Sequence, residues 1–150
     1  MTIILDFDGT CVANEYPRVG FEIGATPILK ELVANGHQLV LFTMRSNSRT
    51  FLCNLLNWHS KHDNCLTDAL NWFKEREIPL HGIQKDPNQS TWVDSPKIKG
   101  GLIIDYSALG CPLVYPLGKG RRFRPYVDWQ QVRDNLVRLG VLPEKEQLFC

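Results

Sequence analysis

Ile3-Ile4-Leu5-Asp6-Phe7-Asp8-Gly9-Thr10 decides how the rest of the chain is read. The apolar run shows no alternation with polar residues, so it reads as a strand covered on both faces, with the acids at its carboxyl end. In an open α/β sheet that edge is where ligands bind. Asp6 and Asp8 stand two positions apart on extended backbone and point to the same side, and Gly9 lets the chain turn sharply behind them. Two carboxylates this close are tolerated when a cation sits beside them or when one keeps a proton.

With 150 residues, 43% of them hydrophobic, the chain is long enough for one domain with a genuine core. A chain of this size buries roughly two-thirds of its unfolded surface. The expectation is a single domain over 1–150. Seventeen basic residues against 16 acidic ones leave a formal charge of +1, so bulk charge selects neither a nucleic acid nor a membrane. Cys11, Cys53, Cys65, Cys111 and Cys150 are odd in number and lack a close zinc-binding pair. No charged-then-apolar leader precedes the first strand, and no stretch approaches the roughly 20 apolar residues that cross a bilayer. A reduced, cytoplasmic protein without a membrane partner is expected.

Residues 11–24 mix polar, aromatic and glycine residues without a helical period and read as a flap over the acidic edge, in which Glu15, Tyr16 and Arg18 are placed to touch a substrate. A helix then follows, with Thr26 as N-cap, Pro27 at its first position, an apolar face of Ile28, Leu29, Leu32 and Val33, and Gly36 at its end. His37 to Met44 is a second buried strand, parallel to the first through a right-handed crossover, so Thr43 and Arg45 reach the same edge. A hydroxyl there can donate to a ligand oxygen without adding charge, and Arg45 offers a bidentate grip. Residues 46–64 read as an insertion around an amphipathic stretch of Phe51, Leu52, Leu55 and Leu56. Further on come a helix over 67–77, a strand over 80–84 and a polar loop over 85–99. Trp58 and Trp72 read as packing residues, and His59, His62 and His81 have no metal-ligand spacing. Gly101 to Asp105 repeats the opening logic of an apolar run ending in an acid, and Cys111 to Tyr115 offers one more strand. Asp128 and Gln131 form a capping-box pattern ahead of a stripe of Trp129, Val132, Leu136 and Leu139 that stops at Gly140.

The order of these pieces resembles the haloacid dehalogenase-like (HAD) superfamily, most of whose members are magnesium-dependent phosphatases. Asp6 to Thr10 is similar to its first motif, Thr43 to the strand-end hydroxyl of its second, Lys97 (with Lys99 as the neighbouring candidate) to its lysine, and Asp105 to its fourth-motif acid. Tyr106 departs from the pattern, standing where many members have a second acid, and is expected to weaken metal affinity. The resemblance runs from Ile3 to about Pro116. It implies a three-layer Rossmann-like α/β fold, a parallel sheet of order 3-2-1-4-5 with helices on both faces, and no large cap domain.

The resemblance further implies Mg2+ held by Asp6, Asp105 and the backbone carbonyl of Asp8. Asp6 would act as nucleophile through an aspartyl-phosphate and Asp8 as acid and base, with Thr43, Lys97 and the backbone amides of Gly9 and Thr10 holding the phosphoryl group. The substrate would be a phosphorylated small molecule or a nucleotide, and a capless site would admit a second copy of the chain as lid, hence a homo-oligomer. Lys119, Arg121, Arg122 and Arg124, interleaved with Phe123 and Tyr126, form a local basic cluster open to a nucleic-acid phosphate, although a solvated loop is its default reading. The alternative function is a HAD-like phosphate-binding or interaction module that has lost efficient catalysis; phosphoryl transfer as in a phosphomutase is a third.

Overall fold

In the computed structural model, β1 (Thr2–Leu5) lies inside a four-stranded parallel sheet of order β3-β2-β1-β4, with β2 at Gln38–Leu41, β3 at Gly82–Ile83 and β4 at Leu102–Ile104. The described residues are 1–47, 64–120 and 123–146, so most of the expected insertion, Trp58, His59, His62, Arg121 and Arg122 lie outside them. Ile3 pairs with Leu39 and Leu102, and Leu5 with Leu41 and Ile104. That register brings the residues after Leu5 and Ile104, which are Asp6 and Asp105, to neighbouring strand ends, tied by the Asp6 N–H donating to the Ile104 carbonyl at 3.1 Å. The chain is thus a mixed α/β protein with its acids at the carboxyl edge of a parallel sheet.

The expected order holds as far as β4. Residues over 111–115 do form a strand, β5 (Leu113–Val114), but it pairs antiparallel with β6 (Tyr126–Val127) in a separate two-stranded unit. Its backbone groups find partners there instead of on the edge of β4. The Val127 N–H donates to the Gly9 carbonyl at 2.9 Å, so the hairpin is moored to the first acidic turn.

Two helices begin earlier than local signals suggest. α1 (Ala25–Ala34) is entered through Gly24 at φ 94°, which places Thr26 inside the helix, its hydroxyl donating to Glu22 instead of accepting from a backbone N–H as a cap would. Pro27 sits in the first turn, where a missing N–H costs nothing. α2 (Cys65–Glu75) is capped from a distance: the Asn47 carboxamide oxygen accepts from the Leu66 and Thr67 N–H groups, both at 3.1 Å. α3 (Trp129–Arg138) begins as expected, Asp128 accepting from the Gln131 N–H at 3.1 Å. Arg133 of α3 reaches Glu31 of α1 through two bonds of 2.9 and 2.6 Å.

Coverage of the sheet is uneven. Ile3, Leu5, Leu39 and Leu41 share one core with buried residues of all three helices, including Leu29, Phe73 and Trp129. On the opposite face Ile4 and Val40 meet Ile98, which arrives from the loop after β3. Ile103, on that same face by strand alternation, is 62% exposed. The expected helices on both faces are therefore not found among the described residues, where a loop covers the second face. Leu39→Ala is expected to cost about 2–5 kcal/mol in a urea melt. Ile103→Ala, removing side chain already in water, is expected to cost less than about 1 kcal/mol.

Candidate active site

Asp6 and Asp8 open into a cleft of about 360 Å³ at the carboxyl edge of the sheet. Thr43 and Met44 from the end of β2 line it, with Asn14 and Tyr16 from the flap, Tyr106 from the end of β4, and Arg124 from before β6. The flap is a narrow antiparallel pairing, Val12 opposite Glu22, and its first residues Thr10 to Asn14 are buried. Glu15 is not among the lining residues, and Arg18 contributes its carbonyl to Arg45.

The two acids sit in different surroundings. Burial pushes the Asp6 carboxyl up from about 3.8 to about 6, with the nearby charges of Asp105 and Asp8 adding to the rise and hydrogen bonds from the Phe7 backbone and the Thr10 hydroxyl opposing it. Asp8 is instead held by Arg45: Nε donates to Oδ2 at 2.8 Å and Nη2 to Oδ1 at 2.7 Å. The same guanidinium donates to the carbonyls of Pro17, Cys65 and Arg18 at 3.1, 3.1 and 2.8 Å. All five of its N–H groups are used. It is 1% exposed and lies against the rings of Phe7 and Tyr16, 5.0 and 5.4 Å from their centroids. The sequence reading of Arg45 as a grip on substrate is corrected here: no donor is left for a phosphate, because Asp8, the flap carbonyls and the Cys65 carbonyl take them all.

Thr10 and Gly9 are likewise spent inside the turn. The Thr10 hydroxyl donates to Asp6 at 3.1 Å and accepts from the Tyr106 N–H at 3.0 Å, joining the two acidic strand ends from a fully buried position. The Gly9 N–H donates to the Val12 carbonyl at 2.8 Å and the Thr10 N–H to the Phe7 carbonyl at 3.2 Å. As substrate-binding groups both are therefore replaced by a structural role. Gly9 has φ 77°, and a Cβ there would fall 2.9 Å from the Tyr106 ring. Trp129 supports the turn from below, its indole N–H donating to the Thr10 carbonyl at 2.7 Å.

Thr43 lines the cleft, its hydroxyl accepting from the Arg45 N–H at 3.2 Å. Gln84, just beyond β3, brackets it: its carboxamide accepts from the Thr43 N–H at 3.0 Å and donates to the Thr43 carbonyl at 2.6 Å. Lys97 is exposed and does not line the cleft, nor does Lys99, whose ammonium lies over Trp92. The buried Gln89 explains this, since it donates to the Ser95 and Lys97 carbonyls and accepts from the Lys99 N–H, which pins the loop with Ile98 inward. Among the described residues the cation lining the cleft is Arg124.

Asp105 uses Oδ1 to accept from the Ser107 N–H and hydroxyl at 2.8 and 2.7 Å, while its charge is felt at Asp6. Among the described residues no three His, Cys, Asp or Glu side chains group as a metal site. Asp8 could reach a cation only through its carbonyl oxygen, because its carboxylate is turned to Arg45. Asn14 and Gln84 were not singled out by sequence; a polar residue closing the apolar strand at 80–84 was the available sign for Gln84, and Asn14 had none.

The class defined so far is an α/β protein with a parallel sheet and an acidic cleft at its carboxyl edge. No family model and no curated protein matches the chain. A solved structure that it resembles is that of a conserved protein coded by a locus of Bacteroides thetaiotaomicron, with a TM-score of 0.64 and 28% identity, covering 93% of this chain and 91% of that one. Among the described residues no helix is long and apolar enough to cross a membrane.

Two outcomes follow from the carboxylates. Arg45→Met strands Asp8 and three carbonyls, and is expected to cost about 3–5 kcal/mol by chemical denaturation; Arg45→Lys should recover little, since an ammonium cannot span both oxygens. Asp6 binds its proton more tightly folded than unfolded, so the stability it gives is complete below pH 3.8 and is lost as pH rises through about 6. In metal-free buffer, Asp6→Asn should therefore melt at a higher temperature than the wild type above pH 6, and the gap should close towards pH 4.

Proposed function

We propose that this chain is a magnesium-dependent phosphohydrolase working through an aspartyl-phosphate on Asp6. The observation that carries the reading is the placement of a largely buried carboxyl at the tip of β1, beside Asp105 at the tip of β4 and in one cleft with Thr43 and Arg124. The chain's resemblance to the HAD superfamily supports it. Asp6 and Asp105 suit a hard divalent ion in donor type, since both offer carboxylate oxygens and a cation would relieve the repulsion felt at Asp6. With the Asp8 carbonyl they are the groups that would hold magnesium, which when bound supplies charge neutralisation between carboxylate and phosphate.

Above pH 6 Asp6 is anionic and able to attack phosphorus opposite the leaving oxygen. The phosphorus–oxygen ester bond breaks as the Asp6–phosphorus bond forms, and the leaving oxygen takes a proton from Asp8, which enters the cycle protonated and with one of its two Arg45 bonds given up. Asp8 then takes a proton from water, whose oxygen attacks phosphorus, releasing inorganic phosphate and restoring Asp6. Thr43 donates its hydroxyl to an equatorial oxygen and Arg124 offsets charge at the mouth. Lys97 enters this chemistry only if the 85–99 loop shifts, so Arg124 takes its place in the proposal. The Arg45 clamp has to release one of its two bonds to Asp8 before Asp8 can act as an acid.

That clamp also favours a second reading, a phosphate-binding module without efficient turnover, as does Tyr106. Turnover separates the two. Wild-type protein with magnesium is expected to hydrolyse p-nitrophenyl phosphate, Asp6→Asn to lose activity by on the order of 10³-fold or more with its circular dichroism unchanged, and chelation to abolish the wild-type rate. Full activity in Asp6→Asn would end the hydrolase proposal.

A further inference from the structure

Asn14 is 7% exposed, yet its carboxamide has no hydrogen-bond partner among the described residues. Its polar atoms are not sealed away, and the residue lines the cleft beside Asp6 and Asp8. An amide that opens into the cleft and makes no bond to the protein keeps its donor and its acceptor available to a ligand. Because it carries a donor and an acceptor side by side, it matches the paired donor–acceptor edge of a planar heterocycle. Two aromatic rings share the same cleft. Tyr16 is backed by the Arg45 guanidinium and Tyr106 by the backbone of Gly9, so both are held in place as flat apolar surfaces.

We propose that the phosphomonoester taken by this cleft is a nucleoside 5′-monophosphate, with Asn14 binding the edge of the base and Tyr16 and Tyr106 bounding its faces. This rests on the phosphohydrolase reading for the position of the phosphate. A volume of about 360 Å³ accommodates one nucleotide. Among the described residues the lining carries Arg124 beside Asp6 and Asp8, a cation placed to offset one phosphate.

Binding is measured by calorimetry with magnesium in the Asp6→Asn protein, which removes the nucleophile, using adenosine, guanosine, cytidine and uridine 5′-monophosphates against ribose 5-phosphate. At least one nucleotide should bind about tenfold or more tightly than ribose 5-phosphate. Adding Asn14→Ala should erase about tenfold of that preference while leaving the ribose 5-phosphate affinity within twofold, and Tyr106→Leu should act likewise if Asn14→Ala fails to fold. Equal affinity for every nucleotide and ribose 5-phosphate would overturn the inference, as would a preference that survives both substitutions. Hydrolysis of p-nitrophenyl phosphate by the wild type without nucleotide preference would remove this inference alone. Nucleotide preference without hydrolysis of any phosphomonoester would instead remove the hydrolase reading and keep the recognition site.

Discussion

A single buried guanidinium holds the functional edge of this molecule together. Arg45 leaves the end of β2, passes between Phe7 and Tyr16, and gives every donor it has to Asp8, two flap carbonyls and the first residue of α2. A charge this deep is tolerable only when each N–H is matched, and here each one is. Flap, first acidic turn and α2 therefore have one common anchor. Breaking it would free three segments at once, which distinguishes it from a surface ion pair.

Around that anchor the carboxylates divide their roles by environment. Asp8 is paired with a buried guanidinium, while Asp6 is left with burial and two like-charged neighbours. Thr10 ties the tips of β1 and β4, and Trp129 and Val127 hold the same turn from the far end of the chain. The last helix, which touches no substrate, thus fixes the geometry of the first ten residues. Such a site is rigid on its floor and adaptable at its mouth, where Met44 and Arg124 are exposed.

The strand cores were legible because burial on both sides leaves an unbroken apolar run, as at Ile3 to Leu5, and the acids at strand ends followed from the connection rules for parallel sheets. Asp128 at the start of α3 was equally plain, since its cap is local. What sequence could not show was non-local. Asn47 caps a helix that starts 18 positions later, so α2 began earlier than its own residues suggested. Arg45 had a donor count but no visible partners, and looked like a substrate ligand until Asp8 and three carbonyls were found around it. Lys97 matched a spacing, but Gln89 sets the path of its loop, and a glutamine in a polar stretch carries no such signal. β5 read as a sheet strand because five apolar-rich residues do not reveal which neighbour will pair with them.

The contact between Tyr106 and Gly9 sets what position 106 can do. The phenol ring roofs the bend of the opening loop, where a Cβ on Gly9 would fall 2.9 Å from it. Under the proposals of a magnesium ion and of an aromatic wall, one side chain at 106 serves either the wall or the ion: a carboxylate there would add an oxygen ligand and give up the roof.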